Sequence, residues 1–258
     1  MKKTMKILSL AMALLVSASG IALATPSTQI WIPSTDVQAF GTAHLGLDSY
    51  IRTSTKTAAD QESRIRDNSF DLGLTVGVLP FEKLQMEVGI DYLVYGNGYD
   101  DHPVYFNAKL GTPEDSLFKY SPAIAVGGYG FGTNADSDSA FRTDNNIVYG
   151  LVAKTLPVVG RLSAGYYLGN SATLNDEKGA NDNHGVLLSW DRTLSEISDK
   201  LWAAVDYQGA DNAFGALSFG VSWAFSKNVS VIFGYDIYNK KATGGSSTFT
   251  TQVDINFP

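Results

Sequence analysis

The feature that most constrains this chain is the alternation of apolar and polar residues along most of its length. Near the C-terminus, Leu217, Phe219, Val221, Trp223 and Phe225 alternate with alanine, serine and glycine. A period of two places the two sets of side chains on opposite faces of a β-strand. An amphipathic helix would need a period of 3.6 residues, and no convincing stripe of that kind occurs after residue 37. The pattern therefore predicts an all-β protein.

The alternation divides the chain into twelve predicted strands. Most are longer than the 5–6 residues typical of globular strands and match the ~9–11 residues that a tilted strand needs to cross a bilayer. An even number of strands is also typical of bacterial membrane barrels. The predicted ranges are 37–53, 69–78, 84–96, 103–111, 121–132, 144–155, 161–169, 184–193, 201–208, 213–225, 229–239 and 248–257.

The connections between these strands alternate in length and character. Those after odd-numbered strands average about ten residues and are polar, whereas those after even-numbered strands average about six and contain turn formers such as Leu79-Pro80. Long loops on one side and short turns on the other are the arrangement of transmembrane β-barrels. Long loops are therefore expected outside the cell and both mature termini in the periplasm.

The first 36 residues do not follow the strand pattern. Residues 1–24 combine three lysines, an apolar stretch and an Ala22-Leu23-Ala24 cleavage site, which indicates a secretory signal peptide. Its removal takes away three lysines and no acidic residue, so the net charge changes from −7 to −10. Residues 25–36 form a predicted periplasmic N-terminal segment, and 37–258 the barrel. Because Trp31 stands between Ile30 and Ile32, this segment is too apolar for a free tail, and it either enters the lumen or docks at the periplasmic rim.

Alternation alone does not decide whether the apolar face points outward or inward, because soluble barrels bury theirs inside. About eight strands suffice for a barrel that side chains can fill, so twelve with small and polar inward residues would leave the middle unfilled. Aromatic residues also gather near strand ends, as in the girdles of membrane barrels. Those aromatics are Tyr92, Tyr129, Phe131, Tyr149, Tyr207 and Tyr235 toward the long loops and Trp190, Trp223, Phe225 and Phe257 toward the short turns. We therefore expect a twelve-stranded antiparallel up-and-down transmembrane β-barrel, with a soluble β-protein as the alternative.

This pattern over residues 37–257 resembles the Gram-negative outer-membrane β-barrels, the porin-like group in particular. The most specific match is the closing strand Thr248-Phe-Thr-Thr-Gln-Val-Asp-Ile-Asn-Phe257, which is similar to the C-terminal assembly signal of that group, although Pro258 follows the terminal aromatic. The resemblance implies location in the cell outer membrane, insertion by the outer-membrane assembly machinery, and contact with membrane lipid and lipopolysaccharide.

Strand parity predicts which charged residues line the lumen. The functional interpretation is a water-filled, weakly cation-preferring channel for passive diffusion of small polar solutes. The alternative is a plugged, non-conducting structural or adhesion barrel, in which Glu87 or Asp91 pairs with Lys109 on the next strand. The predicted pore-lining residues are Asp48, Arg52, Asp71, Glu87, Asp91, Lys109, Lys154, Arg161, Asp191, Asp206, Asp236 and Asp254, eight acids and four bases.

Catalytic, metal and cofactor sites are not expected. The chain has no cysteine, and its three histidines show no metal-ligand spacing. A second alternative, an outer-membrane hydrolase, finds weak support. The serine that a lipase places two residues from its histidine is replaced by Val186 beside His184, and the omptin-like group Asp100-Asp101-His102 lies in a predicted loop. The negative net charge argues against wholesale nucleic-acid binding.

Overall fold

The computed structural model describes residues 27–54, 67–96, 100–139 and 141–258, so the predicted signal peptide lies outside the described residues. Within these ranges the chain forms twelve strands and one turn of helix. The elements are β1 (Ala43–Arg52), β2 (Ser69–Gly77), β3 (Gln85–Val94), β4 (Val104–Thr112), β5 (Ala123–Gly132), β6 (Asp144–Leu156), β7 (Gly160–Leu168), β8 (His184–Thr193), β9 (Leu201–Gln208), β10 (Ala216–Ala224), β11 (Val229–Tyr238), α1 (Lys241–Gly244) and β12 (Thr248–Phe257). No helix in the described ranges is long and apolar enough to span a membrane.

Each strand pairs with its sequence neighbours, and β1 pairs with β12 to close the barrel. All pairs are antiparallel, and the closing pair is in continuous register from Ala43 opposite Phe257 to Arg52 opposite Thr248. Closure leaves no unpaired strand edge, which a hydrocarbon environment would not tolerate. The predicted fold class is confirmed.

The two faces of the strands differ as the alternation predicts. The outer surface carries most of the large exposed apolar side chains, whereas polar side chains are buried on the inner surface. On β10, Phe219, Val221 and Trp223 point outward while Ser218 and Ser222 point inward and are buried. An exposed apolar band around a closed barrel is the surface that a bilayer covers.

The connections define two different ends of the barrel. We call the end with the short connections 78–84, 113–122, 157–159, 194–200 and 225–228 the turn end, and the opposite end the loop end. The strand β1 starts at the turn end at Ala43 instead of residue 37, because the chain from Val37 to Thr42 crosses this end of the barrel. There the Gly41 amide donates to the Gly77 carbonyl (3.1 Å).

Candidate functional site: the lumen

Ten residues before β1 lie inside the barrel. This stretch, Ser27–Asp36, is called the lumen segment below. It folds back on itself: the Gln29 amide donates to the Ile32 carbonyl (2.8 Å) and the Ser34 amide to the Ser27 carbonyl (3.2 Å). Its tip, Ile30-Trp31-Ile32, therefore points into the lumen, and both of its ends face the turn end. Of the two positions that the sequence leaves open for this apolar segment, the structure shows the lumen.

One carboxylate of the barrel wall holds the tip of the lumen segment. Oδ2 of Asp206 on β9 accepts hydrogen bonds from the backbone amides of Ile30 (2.7 Å) and Trp31 (2.9 Å). Nε2 of Gln252 on β12 donates to the Ile30 carbonyl (2.8 Å), and the Trp31 indole donates to the Phe214 carbonyl (2.8 Å). Bonds of this kind satisfy backbone groups that would otherwise be buried without partners.

Apolar contacts seat the same tip. Ile32 is fully buried in a cluster formed by inward-facing residues of β6, β7 and β8 and by a loop-end leucine, and Ile30 packs in a second cluster on β9 and β11. The partners of Ile32 are Ile147, Tyr149, Leu151, Tyr167, Leu174 and Leu187, and those of Ile30 are Trp202, Ala204 and Ile232. This side of the lumen is thus a packed apolar core.

The sequence pattern predicts Tyr129 and Tyr149 in an interfacial girdle, but both belong to this core. Tyr149 is buried in the lumen, and the Tyr129 ring packs against it in a tilted arrangement with ring centroids 6.1 Å apart. The Tyr129 hydroxyl also contacts the Gln208 side chain across the barrel (3.3 Å). The girdle prediction is therefore wrong for these two residues.

The base of the lumen segment is held by an ionic network at the turn end. Nη1 of Arg161 on β7 lies 2.7 Å from Asp36, and Nε lies 2.9 Å from Oδ1 of Asp191 on the neighbouring strand. The same Asp191 oxygen accepts from Nε2 of Gln29 (3.0 Å). Because Arg161 is shared between wall and segment, this network joins the two.

A second ion pair lies at the turn end, on β3 and β4. Nζ of Lys109 lies 3.0 Å from Oε1 of Glu87, and both side chains are almost completely buried. The Lys109 ammonium also donates to the Ser27 carbonyl (3.1 Å), and Oε2 of Glu87 accepts from the Gln38 amide (2.6 Å). A buried ion pair is tolerated when its remaining hydrogen-bonding groups are satisfied. This cross-strand pair is the one that the plugged alternative predicts.

The inner wall of β1, β2 and β3 is different. Asp48, Asp71 and Asp91 face the lumen toward the middle and loop end, keep partial exposure, and are called the acidic wall below. Asp48 and Asp71 are directly opposite each other in the strand register, and Asp91 accepts from Nδ2 of Asn107 (2.8 Å). Among the described residues no basic side chain lies within salt-bridge distance of these three acids, and Oδ1 of Asp71, an atom that is itself buried, has no hydrogen-bond partner.

The remaining predicted lumen residues also point inward. Asp236 accepts from the Thr248 hydroxyl (2.7 Å), and Asp254 lies 3.5 Å from Nε2 of His44. Arg52 lies at the loop end, where its guanidinium sits 4.9 Å from the centroid of the Tyr238 ring and donates to loop carbonyls.

Lys154 is the exception, and its predicted place in the lumen is wrong. It has the outward parity of Val152 and Leu156 and pairs across the strands with Leu162, which is exposed on the outer surface. Its ammonium lies 2.9 Å from Glu114 and 3.3 Å from Asp115 in the turn between β4 and β5. A lysine at the rim of the apolar band keeps its charge in the polar interface in this way. The lumen thus contains eight of the predicted acids and three of the bases.

The histidines considered for hydrolysis do not assemble a catalytic group. His184 lies on the outer surface, where Nδ1 is 2.8 Å from the Tyr166 hydroxyl, and Nδ1 of His102 contacts the Thr133 hydroxyl (3.3 Å). In the described ranges no group of three or more histidine or acidic side chains is arranged to hold a metal ion.

Comparison with known proteins finds similarity at the level of the fold. No family model matches the chain, and no curated protein matches it in sequence. Among solved structures, a NanC porin is 11% identical with a TM-score of 0.48, covering 83% of this chain and 99% of that one. A KdgM porin is 7% identical with a TM-score of 0.46, covering 84% and 98%.

The outer membrane phospholipase A from Escherichia coli is 9% identical with a TM-score of 0.44, covering 84% of this chain and 92% of that one. The structure itself defines the class of fold: a closed twelve-stranded antiparallel barrel with an apolar outer band, the fold that the sequence resemblance implies.

Proposed function

We propose that the protein is an outer-membrane channel for the passive diffusion of small polar solutes, with a weak preference for cations. In this proposal the loop end faces the outside of the cell, the turn end faces the periplasm, and the apolar band contacts lipid and lipopolysaccharide. The closing strand β12 serves as the signal for the assembly machinery.

The acidic wall is the observation that carries this proposal. Carboxylates that face one another without basic partners are costly in a dry interior and tolerable beside water and mobile cations. Asp48, Asp71 and Asp91 keep partial exposure inside the barrel, whereas the inward acids Asp206 and Asp236 are buried. A wet, acidic strip along β1–β3 favours cations over anions at close range.

Ion selectivity tests the proposal. Purified protein refolded into planar bilayers should show discrete conductance steps, with a reversal potential in a salt gradient that indicates cation preference. The double change Asp48→Asn and Asp71→Asn should move the permeability ratio toward one and keep conductance, because it removes charge from the wall without adding bulk. The effect should weaken at high salt, since the Debye length falls from about 8 Å at 0.15 M to about 3 Å at 1 M.

Asp199→Asn is the matched control, because this acid is exposed in the turn 194–200 and its loss changes the net charge without changing the lumen. It should leave the permeability ratio unaltered. Equal effects of the two replacements would contradict an acidic wall that selects ions.

A non-conducting barrel that presents its loops to a partner is the second candidate. It is favoured by the lumen segment and by the packed core beneath it, which together occupy one side of the lumen. Absence of conductance both in the mature protein and in a variant without residues 27–36 would support this candidate and contradict the channel.

A further inference from the structure

We propose that the lumen segment, Ser27–Asp36, is the gate of this channel: seated, it closes the turn end, and withdrawn toward the turn end, it opens a continuous passage. The inference rests on the proposed channel function and adds the element that regulates it. It follows from how the segment is connected, what it covers and how it is held.

The lumen segment is not part of the hydrogen-bonded barrel wall. The twelve strands close through the pairing of β1 with β12, and none of these ladders includes the lumen segment. Part of its backbone hydrogen bonding is internal, between Gln29 and Ile32 and between Ser27 and Ser34. It can therefore leave without breaking the barrel wall, and its covalent link to β1 runs through Val37–Thr42 at the turn end.

The segment covers two carboxylates on the side of the lumen formed by β8 and β9, away from the acidic wall on β1–β3. In the seated state the segment donates hydrogen bonds to the carboxylates of Asp206 and Asp191, and its N-terminal end lies against the Glu87–Lys109 pair. Withdrawal frees both carboxylates and removes the Ser27 carbonyl from the Lys109 ammonium. Withdrawal thus adds the carboxylates of β8 and β9 to the acids that face the passage, which agrees with the cation preference proposed above.

Two kinds of contact hold the gate closed. Burial of Ile30 and Ile32 favours the seated state, because withdrawal exposes both side chains to water. The bond of Asp36 to Arg161 is more accessible: Arg161 lies 2.7 Å from both carboxylate oxygens of Asp36, whose side chain is 40% exposed. This pair is the contact that water and salt reach first, so we assign it as the latch.

Weakening the latch is the first test. Asp36→Asn removes the charge that pairs with Arg161 and should raise the open probability in single-channel records by about tenfold, the change expected for loss of one charge-assisted bond. Asp211→Asn is the matched control, because Asp211 is half-exposed and its carboxylate is ion-paired with Lys240 at the loop end and not with the segment. Open probabilities that change equally in both variants would overturn the latch and the gate.

Locking the segment is the second test. The chain has no cysteine, and a Cβ at position 234 would lie 3.2 Å from Cγ2 of Ile30, which places the two positions within disulfide range. Ile30→Cys and Gly234→Cys are combined with Thr250→Ser, because the Thr250 methyl is 2.9 Å from the new Cβ. The oxidised protein should be closed, and reduction should restore openings.

The outcomes separate the gate from the channel itself. Conductance that persists unchanged in the fully cross-linked protein overturns the gate while leaving the channel intact. The channel function itself fails if neither the reduced cross-linking variant nor a variant lacking residues 27–36 conducts ions, although heat-modifiable mobility on gels shows that both are folded. A closed oxidised form with openings after reduction supports both.

Discussion

Ile32 offers the sharpest test of the lumen core, because its side chain is fully buried although it belongs to a short segment outside the barrel wall. Replacing Ile32 by alanine removes three carbon atoms from contact with the tyrosines and leucines of β6, β7 and β8. Large-to-small changes of this kind cost about 2–5 kcal/mol when the cavity does not collapse. We expect Ile32→Ala to fall in this range if the segment remains seated.

The structure also sets an upper limit on that loss. Because the strand ladders close without the lumen segment, the loss cannot exceed the free energy that seats the segment on the wall. A weakly bound segment would withdraw from the lumen in the variant. The measured free energy of unfolding would then fall by less than the roughly 2–5 kcal/mol expected for the lost packing of Ile32. Trp31 distinguishes the two cases, since it lies 5.5 Å from the Tyr50 ring and 5.6 Å from the Tyr238 ring and loses both neighbours on withdrawal.

The assay is equilibrium unfolding by guanidinium of protein refolded into lipid vesicles, followed both by the electrophoretic mobility of the barrel and by tryptophan fluorescence. Ile197→Ala is the matched control, because Ile197 is 71% exposed in the turn 194–200 and should change stability by no more than about 0.5 kcal/mol. An Ile32→Ala variant that behaves like Ile197→Ala in both signals would refute the packed core.

Three further predictions concern the faces and ends of the barrel. Val221→Arg places a charge on the outer band and should lower the free energy of unfolding in vesicles by about 2–4 kcal/mol. Gly46→Arg points into the lumen, where the atom nearest to a new Cβ is Nε2 of His44 at 3.5 Å, and should lower it by less. Equal losses in the two variants would mean that the two faces are assigned the wrong way round. A cysteine at Ser137 should react with a membrane-impermeant reagent on intact cells and one at Lys227 should not, and the reverse result would invert the topology. Partial burial raises the pKa of Glu114, but hydrogen bonds from Thr155 and Lys154 outweigh this effect and lower the pKa below its usual 4.5. The stability that this carboxylate contributes is therefore present above pH 4.5 and is lost as the pH falls through the lowered pKa. Protease cleavage in the turn 113–122 should increase only in that acidic range.

The strands could be predicted from the sequence because one face of the sheet is apolar and the other is largely polar. His184–Thr193, Leu201–Gln208 and Thr248–Phe257 have the predicted bounds. In strands with clear alternation a shift of one residue would turn every side chain to the wrong face, so the register is strongly determined. The same alternation placed Asp48, Asp71 and Asp91 on the lumen side.

The errors concentrate on and beside β6, where the alternation is lost. Ile147 and Leu151 face the packed core while Val148 and Val152 face outward, so this strand is apolar on both faces. Without a polar face the sequence gives no parity, so the predicted lumen position of Lys154 is wrong and the residue lies at the outer rim. The predicted girdle position of Tyr149, on the same strand, is wrong for the same reason.

Loss of alternation in a barrel strand is itself informative, because an apolar patch facing a water-filled lumen would forfeit the free energy of burial. Such a patch needs an occupant, and an apolar segment outside the strand pattern can supply it. Here the two signals occur in one sequence: Ile147, Leu151 and Leu187 face inward, and Ile30-Trp31-Ile32 precedes the first strand. Their contact could not be predicted from local periodicity, since the bonds of the segment to the wall join residues up to 222 positions apart. Both apolar groups must nevertheless be covered, the inward residues of β6 and β8 and the tip of the lumen segment, and each can cover the other. The two places where the strand pattern fails, β6 and the stretch before β1, are therefore the two that together fill one side of the lumen.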